Sequence, residues 1–176
     1  MSESNETIIH INWEGYFLYK NLKNLKDKLN GQAGLYQVYG TYPPHNNQSL
    51  LYIGKSENLF HRLEDHTWLS GIDWKKQISD SDNIQIYFGF LKMKPKPKNY
   101  PELICKSESL LIFSHKPILN QQEKNHKMEF GPPENPIRIF NWGNYKFLMP
   151  EVSTLRWAGQ HWDVEEFNYI GETLLS

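Results

Sequence analysis

At 176 residues, with 19 basic and 20 acidic side chains and a formal charge of -1, the chain suits one ordinary domain and lacks the globally basic signature of many nucleic-acid binders. Its single cysteine, Cys105, excludes an intramolecular disulfide and a multi-cysteine zinc cluster; within the apolar run Leu103-Ile104-Cys105 it reads as a small buried hydrophobe. The polar, acidic stretch Met1–Glu6 is unlike a signal peptide, and no apolar run nears the ~20 residues of a membrane span, so a cytoplasmic location without membrane attachment is expected.

Glu14 to Leu29 reads as an amphipathic helix, because Leu18, Leu22, Leu25 and Leu29 recur at steps of three and four with lysines between. Asn30-Gly31 then ends it. Leu35 to Thr41 alternates and is rich in β-formers, and Leu50 to Gly54 reads as its hairpin partner across the Tyr42–Asn47 loop. Ser56 is favoured over Asn58 as the cap of a helix reaching about Leu69, since Leu59 and Leu63 then share a face. A third strand is expected over Ile84–Met93, with Ile84, Ile86, Phe88 and Phe90 on one side. Pro95 and Pro97 exclude a central strand beyond it. Pro101 suits the start of a helix running from Glu102 to Ser114, before Pro117. Past Asn120 the pattern is irregular, with strand material in Ile137–Met149 and helix material in Val164–Leu174.

The expected architecture is α+β: a small central, mainly antiparallel three-stranded β-sheet flanked by helices. An N-terminal helical extension (1–32) precedes a core (33–122), and a C-terminal extension for specificity or dimerisation (123–176) packs on that core as one domain. Charge is uneven along this frame. Residues 1–33 carry four of each sign, residues 34–126 eleven basic and nine acidic, and residues 127–176 four and seven. A polyanion should therefore meet the middle segment.

That segment holds an ordered series of chemically useful groups: Gly34-Leu35-Tyr36, Tyr52-Ile53-Gly54-Lys55, Arg62, His66, Glu108 and Asn120. Each has an ordinary structural explanation alone, such as cross-strand packing for a tyrosine or a solvated helix face for an arginine. Their order and spacing carry the reading. Hydrolysing a phosphodiester needs an activated water, neutralisation of charge on the phosphoryl oxygens and help for the leaving oxygen. Arg62 offers a fork of donors, and His66, four residues on, shares its helix face. Glu108 is a hard oxygen ligand suited to Mg²⁺ or Mn²⁺, and as the one carboxylate of the set it favours a single metal per site over a two-metal clamp.

The series resembles the catalytic core of the GIY-YIG nuclease family over about residues 33–122. Leu35 stands in place of the usual isoleucine, and the fifteen residues between Tyr36 and Tyr52 exceed the typical spacing, the surplus lying in the hairpin loop. The resemblance implies Tyr36 as general base, with Tyr52 and His66 positioning or relaying the proton, and Asn120 supporting the metal side. A phenol has an unperturbed pKa of about 10 and needs nearby positive charge, from Lys55 or the metal, to serve as base. His66, ordinarily near 6.5, is the alternative.

Lys92, Lys94, Lys96 and Lys98 alternate through a proline-stiffened segment, either as a phosphate-contacting strip or as a solvated edge. His115 and Lys116 either approach the DNA backbone near Glu108 or cap the helix end. Trp142, Tyr145, Trp157 and Trp162 read as packing more than base stacking, given the local acidity. The layout, a core with short extensions and no linker, resembles the compact type II restriction endonucleases of the family. The expected function is therefore a metal-dependent endonuclease acting on double-stranded DNA, as a homodimer when both strands are cut. A stand-alone structure-directed or weakly specific repair or recombination nuclease is the alternative, followed by a non-cutting DNA-binding module.

Overall fold

A computed structural model describes residues 6–42, 48–65, 83–93, 95–120 and 136–155. The chain opens with a long strand, β1 (Thr7–Leu18), where a helix was expected from Glu14. Ile9, Ile11 and Trp13 alternate with exposed or half-buried neighbours, a period of two that only a strand satisfies. Gly15, at φ +141°, lies in the register shift that bends the strand between Glu14 and Phe17. Of the four leucines, Leu18 ends β1, and the others belong to a 3-10 segment, Tyr19–Leu25, and a single helical turn, α1 (Lys26–Leu29), which bury Leu22 and Leu29. A 3-10 helix repeats every three residues, so it produces much of the same spacing as an α-helix.

The hairpin follows as expected, with β2 (Gly34–Gly40) antiparallel to β3 (Ser49–Ser56). Next comes α2 (Leu59–Glu64), capped by Asn58, whose side-chain oxygen accepts from the His61 N–H at 3.3 Å. Ser56 does not cap it. Its hydroxyl instead donates to the Asn58 carbonyl and accepts from the Asn58 N–H, fixing the turn before the helix. β4 (Gln85–Leu91) and the sixteen-residue α3 (Tyr100–His115) match the expected third strand and second core helix. α3 has proline in its first turn and ends on Lys116 in the left-handed conformation. The strand expected in Ile137–Met149 is realised as β5 (Ile137–Gly143), followed by the short β6 (Glu151–Ser153). The helix expected over Val164–Leu174 lies outside the described residues.

The sheet has six strands in the order β3-β2-β4-β1-β5-β6, not three. It is mixed, since β1 runs parallel to β5 while the other pairs are antiparallel. The α+β class holds, but β1, β5 and β6 add half the sheet to the expected hairpin and third strand. β1 lies between β4 and β5, inside the sheet.

Two apolar layers cover this sheet. On one face, Leu103, Ile104, Leu110 and Leu111 of α3 pack on Ile9, Ile11, Leu35, Ile53 and Ile139. On the other, Leu22, Leu29, Leu59, Phe60 and Leu63 pack on Tyr36, Val38, Ile86 and Phe88. Covered on both sides, β2 is buried along its whole length. Among the described residues no helix is long and apolar enough to cross a membrane.

His115 pins the end of α3. Its Nδ1 lies 2.8 Å from the Leu111 carbonyl, and its Nε2 accepts from the Met149 N–H at 2.8 Å, so the ring is neutral with the proton on Nδ1. Burial lowers its pKa, opposed by the bond to Leu111. The unfolded chain therefore takes up this proton first, and the destabilisation starts below the unfolded value of about 6.5 and grows as pH falls. The melting temperature should drop between pH 7 and pH 5, and drop less in His115→Gln; equal pH dependence of the two proteins by calorimetry would refute this.

Candidate active site

The two tyrosine motifs meet through hairpin register. Tyr36 stands opposite Gly54, and Val38 opposite Tyr52, which puts both tyrosines on the α2 side of the sheet. Their rings lie 5.9 Å apart between centroids and 25° from parallel. Gly54 makes this possible. A Cβ there would fall 2.5 Å from both Cζ and Oη of Tyr36 and 2.7 Å from Tyr52 Cε1. Gly34 is comparably constrained, since its Cβ would meet the Gly89 carbonyl at 2.8 Å and Leu59 at 3.2 Å. The glycines of both motifs provide room, and the room is used by the tyrosine ring and the start of α2.

Arg62 reaches this pair from α2, and its guanidinium acts electrostatically on both phenols. Burial of the guanidinium disfavours its charge, but Tyr36 and Tyr52 more than offset that, and its pKa is raised. Tyr36 itself is fully buried. Burial drives its phenol far above the ordinary value, Tyr52 and Glu108 push the same way, and Arg62 opposes them. The phenol is therefore neutral across the physiological range, the reverse of the direction that a ready-made base requires.

Glu108 projects from the middle of α3, with only 11% of its side chain exposed. Lys55, from β3, approaches it at 3.7 Å, longer than a charge-assisted hydrogen bond. Burial lowers the Lys55 pKa, yet Glu108 and Cys105 outweigh burial and the net shift is upward. Cys105 is exposed and not buried as expected, and its thiol acts on the Lys55 ammonium. The i, i+3 spacing of Cys105 and Glu108 was the available sign that they share a helix face. Tyr36, Tyr52 and Arg62 thus lie on the α2 side of the sheet, while Lys55, opposite Leu35, meets Glu108 on the α3 side, and the carboxylate acts on the Tyr36 phenol from there.

Asn120 does something different from the expected support of a metal. Its Oδ1 accepts from the Ile53 N–H at 2.9 Å and its Nδ2 donates to the Ile53 carbonyl at 2.8 Å. The amide imitates a neighbouring strand on the outer edge of β3, beside the Leu119 N–H, which donates to the Leu51 carbonyl at 2.8 Å. His66 lies outside the described residues. So does Lys94.

The remaining lysines do not form one strip. The Lys92 ammonium sits 5.6 Å from the Trp142 ring centre, on β5, and that of Lys96 sits 5.0 Å from Tyr100, on α3. Lys98 is exposed.

Among the described residues no group of three or more His, Cys, Asp and Glu side chains converges as a metal cage. A hard divalent ion held by one carboxylate, with its other ligands from water and phosphate, remains compatible with Glu108. No family model, curated protein or solved structure matches this chain.

If Asn120 serves the fold, Asn120→Ala should cost stability, because it strands two backbone groups of a buried residue at about 1–3 kcal/mol each. Urea unfolding should give a loss of roughly 2 kcal/mol or more. An unchanged midpoint would refute the role.

Proposed function

We propose that this chain is a metal-dependent endodeoxyribonuclease of the GIY-YIG type, acting on double-stranded DNA. The observation that carries the reading is that Tyr36, Tyr52 and Arg62 cluster on one face of the hairpin and Lys55 with Glu108 on the other, with Glu108, 72 positions from Tyr36, still acting on its buried phenol. Burying a phenol beside a guanidinium, within the field of a carboxylate, is the kind of perturbed titratable cluster that marks a functional site.

Arg62 and Lys55 neutralise the phosphoryl oxygens, Arg62 with the fork geometry that suits a phosphate. Glu108 holds Mg²⁺ or Mn²⁺, which when bound adds charge stabilisation at the phosphate and leaving oxygen. Tyr52 and Arg62 fix the orientation of Tyr36. Tyr36 and His66 are the two candidates for the proton acceptor. One such site cuts one strand, so a type II restriction enzyme of this kind works as a twofold dimer. Asn120 contributes by holding β3, and with it Tyr52, Gly54 and Lys55, in place.

With long duplex DNA and Mg²⁺ or Mn²⁺, the wild type should cut. Arg62→Ala should lose about 10²–10³-fold in rate, by analogy with removal of one charge-stabilising donor, and Glu108→Gln should be inactive. Discrete fragments indicate restriction, whereas a smear or selective cutting of branched DNA indicates a repair role. Intact DNA in every condition would sink the proposal.

The pH profile separates the bases. With Tyr36 as acceptor, its raised pKa makes the rate climb steadily through pH 9. With His66 as acceptor, the rate rises near 6.5, levels by about pH 8, and disappears in His66→Ala.

A further inference from the structure

The face of the sheet that carries Tyr36 continues beyond the cover of α1 and α2 onto β1 and β5. Register places Tyr36 opposite Phe88, Phe90 opposite Asn12, and Asn12 opposite Trp142, so these side chains share one face. Next along are His10 and Phe140, themselves a cross-strand pair. The result is an outward aromatic surface. The His10 and Phe140 rings stack at 5.4 Å and 17°, and Trp142 lies 6.0 Å from His10 and 6.5 Å from Phe140. Trp142 is 48% exposed and therefore not the packing residue expected from sequence.

The Trp142 indole N–H donates to His10 Nδ1 at 3.0 Å, which orients both rings. A cation stands at one rim: Lys92, whose ammonium lies over Trp142. At the opposite end, Arg138 is paired with both Glu6 and Glu151, which leaves one carboxylate's charge uncompensated beside Phe140 and makes the Lys92 end the one suited to an anion. Clustered flat rings, one of them nearly half exposed, beside a cation fit a flat, stacking ligand attached to an anion. The 6.5 Å between Phe140 and Trp142 is about two rises of a stacked strand at ~3.4 Å each.

We infer that this face binds unpaired nucleotides, with Trp142, Phe140 and His10 stacking bases and Lys92 meeting the backbone. The inference does not depend on cleavage. Binding of the full chain to fluorescein-labelled (dT)₁₂ and to a 12-bp duplex is measured by anisotropy in EDTA, where no metal-dependent cutting occurs. Trp142→Leu should weaken single-strand binding roughly tenfold while Trp142→Phe weakens it less than threefold, and Lys92→Ala should flatten the salt dependence by about one phosphate contact.

Equal Kd values for wild type and Trp142→Leu would overturn the proposal, as would equal losses on single strand and duplex. Leucine serving as well as phenylalanine would mark a merely apolar contact and also overturn it. So would a change in sedimentation of Trp142→Leu without a change in Kd, the mark of a second copy on this face. Trp142-dependent binding by a protein that cuts nothing would support this face and reject the nuclease reading; cutting with Trp142-independent binding would do the reverse.

Discussion

The site depends on the empty space above Gly54. Tyr36 lies across the backbone of the facing strand, where any β-carbon would stand 2.5 Å from its ring and hydroxyl. That contact exists in only one hairpin register. A slip of one residue would turn Tyr36 toward α3, away from Arg62, and bring Leu35 to the wrong layer. β3 is a sheet-edge strand, paired with a strand on one side only, and register is weakly specified at such edges. The chain after α3 supplies the missing neighbour. Leu119 and Asn120 bond the outer side of Leu51 and Ile53, so that the residues fixing the hairpin come from 68 and 67 positions further along the chain.

Those long-range closures also mark the boundary of what could be read in advance. The hairpin, β4 and α3 were legible because each announces itself locally, through alternation, a proline in the first turn, or glycine and asparagine at an end. β1 was not, although Ile9, Ile11 and Trp13 alternate plainly in retrospect. The leucines from 18 to 29 satisfied a helical period equally well, and the end of β1, a 3-10 segment and one helical turn used them instead. The parallel pairing of β1 with β5 joins residues about 130 apart and has no local signal at all. The same holds for Trp13, whose indole donates to Asn141 at 2.8 Å and thereby ties the first strand to the fifth within the core.

At the site, the motif residues were legible by type and spacing, while their division of labour was not. Asn120 looked like a member of the reacting group, but both ends of its amide are committed to Ile53. Cys105 looked like core and stands exposed beside Lys55. Trp142 looked like packing and opens a face. In each case the residue's neighbours come from distant parts of the chain, and side-chain hydrogen bonds and exposure are settled by those neighbours.

The charge of the whole chain is a poor guide to what the site attracts. Arg62 and Lys55 bring two cations to a group with one carboxylate, Glu108, so the cluster is locally positive in a chain whose formal charge is -1. Proximity matters more than the total here, because screening at physiological salt confines charge effects to about 8 Å. Within that range the buried phenol of Tyr36 is the sensitive element. Burial and the Glu108 carboxylate favour its neutral form while Arg62 favours its anion. A phosphate entering beside Arg62 would draw the guanidinium's field onto itself and strengthen the neutral form. A cation gathered at Glu108 would cancel the carboxylate and weaken it. The protonation of Tyr36 is therefore governed by what occupies the two ends of the site.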